Sequence, residues 1–331
     1  MTHAAQMHET PQHGTPAPVA RIIGWTMVAA LFAFLINNVM NVGFDIPTAT
    51  AIYAGQGGAA FMPWIVYAIA VAAAVIFVIR TPYTALRTDA MKLHKVNVYL
   101  IRAFFFTVLI VGVVDVTIAL FRVENVLAIF FSEDMVRNFN LARFVGLYIH
   151  IPLIILSFIL AAYSRTLGFA WLALMIVAAE LLIVITRFVF SYEQAFMGDL
   201  VRYWYAALFL FASAYTLFDD GHVRVDILYA GFTNKTRGFV NAIGSIVLGS
   251  ATCWVILAIG FNGKQSIINA PVWNFEITQT GSIGMFVKYQ MAAFLGIFAA
   301  TMLIQFISFF FEAVADYRQE PGRRESTPVG H

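Results

Sequence analysis

Two groups of residues have the types and spacing for chemistry. The denser group is Asp219, Asp220, Gly221, His222, Arg224 and Asp226, which closes the stretch from Asp199 to Leu228. His222, Arg224 and Asp226 alternate there with Val223, Val225 and Ile227. On a helix His222 and Asp226 would share a face; in an extended or turn conformation all three would share one side. Either way Arg224 has three carboxylates in reach. Such a cluster is either a solvated loop or a polar network that fixes a helix end and anchors another subunit. The same stretch opens with an acid and a base, Asp199 and Arg202, ahead of an apolar, aromatic-rich segment. The second group is Asp115, His150 and Glu180, each set inside a long apolar run. An ionised group at the centre of a membrane helix costs a few kcal/mol, so each one needs a reason. A proton or ion relay is the chemical reading, and pairing between helices the structural one; the pattern favours pairing. Glu180 and Arg187 lie seven apart, two helical turns, on one face, and are expected to share a polar seam. His150 alone does not make a haem site, which needs paired ligands on facing helices, so no cofactor or metal is expected.

Stepping outward, the elements that hold these residues are membrane helices. Of the 331 residues 61% are hydrophobic and only 11% charged, far from a soluble domain. The apolar residues come in runs of about 20, the length a helix needs to cross about 30 Å of hydrocarbon. The expected fold is therefore an all-α polytopic membrane protein with about eight spans. They lie near 21–43, 62–79, 97–121, 143–163, 169–190, 200–218, 238–260 and 286–311. Pro152 should kink the fourth. Residues 1–20 read as a disordered polar tail, and 122–142 as an amphipathic segment on the membrane surface. Cys253 sits in an apolar run and reads as a small buried hydrophobe. The net charge of +2 gives nothing for nucleic acid to bind. Zinc-protease, Walker, paired-cysteine and dinucleotide signatures are missing, which argues against an enzyme.

Eight spans place both termini on one side. Most Lys and Arg of the short loops fall on that side, including Arg80, Arg87, Lys92, Arg224, Lys235 and Arg318, so the termini and the His222 loop are expected to be cytoplasmic. Spans one to four and five to eight repeat a similar loop order, and His94–Val98 loosely echoes His222–Asp226. Duplication and two unrelated four-helix segments both remain open.

The segment 169–317 resembles the small membrane subunit, DctQ-like, of the tripartite ATP-independent periplasmic (TRAP) transporters. The resemblance rests on an ordered set of motifs. Arg187-Phe188-Val189-Phe190 ends one helix, and Asp199-Leu200-Val201-Arg202 starts the next. Trp204 lies early in the span, and Gly221 to Leu228 reads Gly-His-x-Arg-x-Asp-hydrophobic-Leu. The chain departs from the family at Ser191–Gly198, where a Trp and paired acids are usual, and it is about twice the usual length. The resemblance implies a bacterial inner-membrane scaffold that packs against a large permease subunit, DctM-like, fed by a periplasmic solute-binding protein and driven by a sodium gradient, taking up an organic acid. It implies subunit-interface or structural roles for Arg187, Asp199, Arg202, Trp204, His222, Arg224 and Asp226. The corresponding division is a tail to 20, an extra membrane region of about four helices over 21–165, a DctQ-like four-helix domain over 166–317 and a cytoplasmic tail over 318–331. Membrane lipid is the remaining partner. The other readings are a membrane anchor or electron-transfer subunit of a respiratory enzyme, and a carrier that works alone.

Overall fold

The computed structural model describes residues 13–55, 57–166, 168–218 and 229–323. Among the described residues the chain is helical. The principal helices are α1 (Pro18–Phe44), α2 (Met62–Arg80), α3 (Leu86–Val123), α4 (Glu133–Phe139), α5 (Ala142–Tyr163), α6 (Phe169–Phe190), α7 (Ala195–Phe218), α8 (Asn234–Gly260), α9 (Asn269–Trp273) and α10 (Lys288–Tyr317). Seven of them, α1, α2, α3, α5, α6, α8 and α10, are long and apolar enough to cross a membrane. At 24 residues α7 has the same reach, and Tyr203, Trp204 and Tyr205 make it less apolar. The span positions read from apolar runs hold approximately: α7 starts at Ala195 and α10 runs on to Tyr317, and two further helices start early enough to take in charged residues. α3 starts at Leu86, so Arg87, Lys92, His94 and Lys95 are helical rather than in a loop. α8 starts at Asn234, capped by the side chain of Thr233, so Lys235 and Arg237 are helical too. At 38 residues α3 is about 57 Å long, well beyond a bilayer's hydrocarbon.

The chain divides into two compact units. The first takes its described residues from 13–97, 216–218, 229–258 and 302–323. Its N-terminal segment is held earlier than the expected tail allows: Gly14 donates its N–H to the Tyr83 carbonyl at 2.8 Å, and Pro18 opens α1 at the position where a missing N–H does no harm. Polar groups in this unit are paired by charge. Arg21 and Asp89 are both fully buried, 2.7 Å apart, and Asp89 also accepts from Trp25 Nε1 at 3.0 Å. Arg87 reaches Glu312 at 2.6 Å and Asp316 at 2.8 Å and donates to the Pro321 and Glu320 carbonyls. These pairs are why α3 runs on through its charged start. His94 stacks on Phe218 and meets Gln305 at 3.2 Å. At Gly238 a Cβ would lie 2.7 Å from the Ala313 carbonyl oxygen, so α8 and α10 touch there backbone to backbone. Cys253 is buried, as its setting indicates.

The second unit comprises 98–215 and 259–301. Its apolar cluster joins Leu127, Phe139, Val145 and Phe286, so the segment 122–142 buries one side within this unit. Phe105 packs between Phe169 and Phe211. In place of a plain proline kink, α5 carries a π-helical stretch, Gly146–His150, immediately ahead of Pro152. The wider turn absorbs the missing N–H of the proline, and it sets His150 on the buried side.

Candidate functional site

The polar residues of the second unit meet where the chain enters α10. The helix N-terminus leaves backbone N–H groups without intrahelical partners and carries the positive end of the helix dipole. Two carboxylates from different helices come to the residues just ahead of it. Asp115 Oδ2, on α3, accepts from the N–H of Phe286 at 2.7 Å; Asp199 Oδ2, one turn into α7, accepts from the N–H of Met285 at 3.2 Å. Arg122 completes the grip. It donates to the Gly284 carbonyl at 2.6 Å and to the Phe139 carbonyl at 3.3 Å, and its guanidinium lies 3.8 Å from the centre of the Phe286 ring. Three consecutive residues, Gly284 to Phe286, are thus held through their backbone by α3 and α7.

Behind this grip runs one chain of hydrogen bonds. Asp115 Oδ1 lies 3.1 Å from His150 Nε2, His150 Nδ1 lies 2.9 Å from the Tyr289 hydroxyl, and Gln290 Nε2 donates to that hydroxyl at 3.0 Å. Tyr203 donates to Gln290 Oε1 at 2.5 Å. A carboxylate only accepts, so Nε2–H of His150 donates to Asp115 and Nδ1 accepts from Tyr289. Every donor in the chain then points the same way, from Tyr203 to Asp115. Asp115 and His150 are wholly buried and Tyr203, Tyr289 and Gln290 nearly so. Both ring nitrogens of His150 are engaged, which leaves neither for an axial haem bond. The arrangement fits structural pairing between helices, the reading the sequence favoured for Asp115 and His150.

The other residues singled out from the sequence fall in different places. Asp199 is buried, and Arg202, one turn on, is exposed with a long 3.7 Å approach to it. Trp204 is buried: its Nε1 donates to the Val108 carbonyl at 2.8 Å, and its ring fills the space a Cβ at Gly112 would need. The seam expected between Glu180 and Arg187 does not form. Arg187 pairs with Glu193 at 3.2 Å, just past the end of α6, and both are more than half exposed. Glu180 is exposed at mid-helix and makes no ion pair or side-chain hydrogen bond among the described residues. The two are on one face, as their spacing requires, but that face points out of the unit. His222, Arg224 and Asp226 lie outside the described residues. Sequence reading passed over Arg122, Tyr203, Tyr289, Gln290 and the Gly284–Phe286 backbone. Arg122 looked like one more loop cation, and a helix N-terminus that receives remote carboxylates leaves no local pattern.

Comparison with known proteins places part of this chain. Residues 175–316 match the family model described as tripartite ATP-independent periplasmic transporters, DctQ component. No curated protein and no solved structure matches the chain. The matched segment begins within α6 and ends at the last residues of α10. It contains Asp199, Tyr203, Gly284–Phe286, Tyr289 and Gln290, whereas Asp115, Arg122 and His150 precede it. The site therefore joins the matched segment to helices that are additional to it. With its apolar helices the chain is a multi-pass inner-membrane protein, and its residues 175–316 are similar to the DctQ component, the small permease subunit, of the TRAP transporters, with additional membrane helices ahead of that segment.

Proposed function

We propose that the chain is the fixed scaffold of a sodium-gradient-driven uptake system, packed against a large DctM-like permease that moves an organic acid handed over by a periplasmic binding protein. The observation that carries this reading is the face of α6. Only 11% of its most apolar window is buried, against 61% for α10, and Glu180 stands at the middle of that open face. A carboxyl group at mid-span almost always faces protein or a water-filled cavity rather than lipid. A permease helix bearing a hydrogen-bond donor supplies the missing neighbour. The described spans run as unbroken helices with π-helical stretches only at 146–150 and 244–250, which suits a scaffold better than a carrier, whose ion sites are built from broken helices. In this reading residues 21–165 brace the DctQ-like domain over 166–317 by way of Asp115, Arg122 and His150. Both termini face the cytoplasm, and Arg224 and Asp226 anchor the cytoplasmic end of α7 to the permease.

The test is co-expression with a DctM-like permease and a periplasmic solute-binding protein. Glu180→Arg is expected to abolish co-purification of the permease and solute uptake, while the isolated chain unfolds as before because the position is exposed. Unchanged complex yield and uptake would overturn the assignment of α6 as the docking face. Uptake by vesicles that hold this chain alone would overturn the scaffold reading itself.

A further inference from the structure

The second unit contains a cavity of about 300 Å³ between α3, α6 and α7 that no residue of the chain fills. Val116 and Leu120 line it from α3, Leu182 and Ile183 from α6, Met197 and Leu200 from α7. Its contribution from α6 runs from Ala179 to Thr186, about 10 Å along the helix, and Tyr192 stands at the end where α6 gives way to α7. The hydroxyls of Thr117 and Thr186, also in the wall, are spent on backbone carbonyls of their own helices, so the wall offers a ligand almost nothing but hydrocarbon. The cavity is open along one side, and its apolar walls lack dispersion partners there. Its volume is that of about ten water-sized groups, and a methylene is of that size.

At one end stand two guanidiniums, Arg187 and Arg202, among the carboxylates of Glu124, Glu193 and Asp199. Arg187 follows Thr186 on α6 and its side chain is 59% exposed; Arg202, on the first turns of α7, is 74% exposed, and one of its terminal nitrogens lies 3.5 Å from where a Cβ at Gly198 would be, beside Met197 of the wall. Neither guanidinium is committed to a strong partner. The Glu193 pair of Arg187 is exposed, where such pairs contribute little, and Asp199 is already satisfied by the Met285 N–H. We propose that this is a phospholipid site: one acyl chain fills the cavity between α3, α6 and α7, and the phosphate sits between Arg187 and Arg202. In a bilayer, lipid tails are the apolar matter at hand, and an exposed guanidinium on an apolar stem reaches naturally for a phosphate at the interface. The site belongs to this chain alone and does not depend on whether a permease docks on α6.

The experiment uses the full chain, extracted in detergent, stripped by repeated washing and then offered phosphatidylethanolamine or phosphatidylglycerol vesicles. Bound phospholipid is read as phosphorus per chain and by native mass spectrometry. The parent chain is expected to retain a single phospholipid after washing. Ala179→Phe, which puts a ring into the cavity, should remove it. The double variant Arg187→Gln, Arg202→Gln, at exposed positions that leave folding intact, should lower retention by about tenfold, the loss that goes with removing charge-assisted hydrogen bonds. Equal retention by both headgroups supports recognition through the phosphate they share. Equal retention by the parent and the arginine double variant overturns the site. So does a cysteine at Ile183 that cross-links to the permease in the assembled complex, since a protein side chain would then occupy the cavity.

Discussion

The two units satisfy their buried carboxylates by different chemistry. In the first, acids meet guanidiniums: Asp89 meets Arg21, and Glu312 and Asp316 meet Arg87. In the second, Asp115 and Asp199 meet backbone N–H groups ahead of a helix, with His150 as a further donor to Asp115. A charge pair staples two side chains and is indifferent to the path of the backbone between them. A carboxylate on a backbone N–H fixes that path, because the donor cannot be moved without moving the main chain. The first unit is therefore pinned helix to helix, and in the second unit the approach to α10 is given its shape.

The staple reading is the one with the most to lose. Asp89→Ala leaves Arg21 buried and unpaired and should destabilise the chain by about 3–5 kcal/mol in chemical unfolding of the purified protein. Replacing both partners, Arg21→Met with Asp89→Leu, should recover most of that loss, because an apolar pair of similar volume often does as well as a buried ion pair. A double variant as unstable as Asp89→Ala alone would show that the pair does more than staple. For the second unit, Asp115→Asn should cost about 1–3 kcal/mol, since Asn cannot accept from both Phe286 and His150 without turning its own N–H₂ toward one of them. The sharper readout is amide exchange, which should speed up at Met285 and Phe286 and spare α1. Continued protection of both amides would remove the distinction between the units. Gly112→Ala tests the same unit through packing. The new Cβ meets the Trp204 ring and should cost about 1–3 kcal/mol.

The smallest effect belongs to an exposed pair. Tyr192 donates to Glu124 at 2.6 Å, and burial, with Glu124 beside it, pushes the phenol up to about 12. A phenol whose pKa is higher folded than unfolded contributes stability below its unfolded value of about 10 and loses it as the pH climbs toward 12. Tyr192→Phe should change stability by less than about 1 kcal/mol at neutral pH and abolish a late phenolate step in the ultraviolet titration. A phenolate step that survives the substitution would assign it to another tyrosine.

The membrane class, the approximate place of the spans and the DctQ resemblance were legible because each depends on residues adjacent in sequence. Asp199 and Trp204 were singled out this way, and both are buried. Their partners were not legible. Asp115 and Phe286 are 171 residues apart, and His150 and Tyr289 are 139 apart. The expected Glu180–Arg187 seam failed for a related reason: a spacing of seven places two residues on one face but says nothing of where that face points.

Sequence by itself determined that Asp115, His150 and Glu180 would lie in apolar helices, since hydropathy is a property of a run of residues and needs no partner. It placed Asp199 at the start of a helix, which in fact begins one turn earlier at Ala195. Tertiary structure alone decided that Asp115 and His150 are enclosed while Glu180 is left on an open face. The rotation of a helix about its own axis is set by how it packs against distant residues, here Tyr203, Tyr289 and the backbone ahead of α10, and two carboxyl groups with equally apolar neighbours in sequence can be turned by that packing to opposite surroundings.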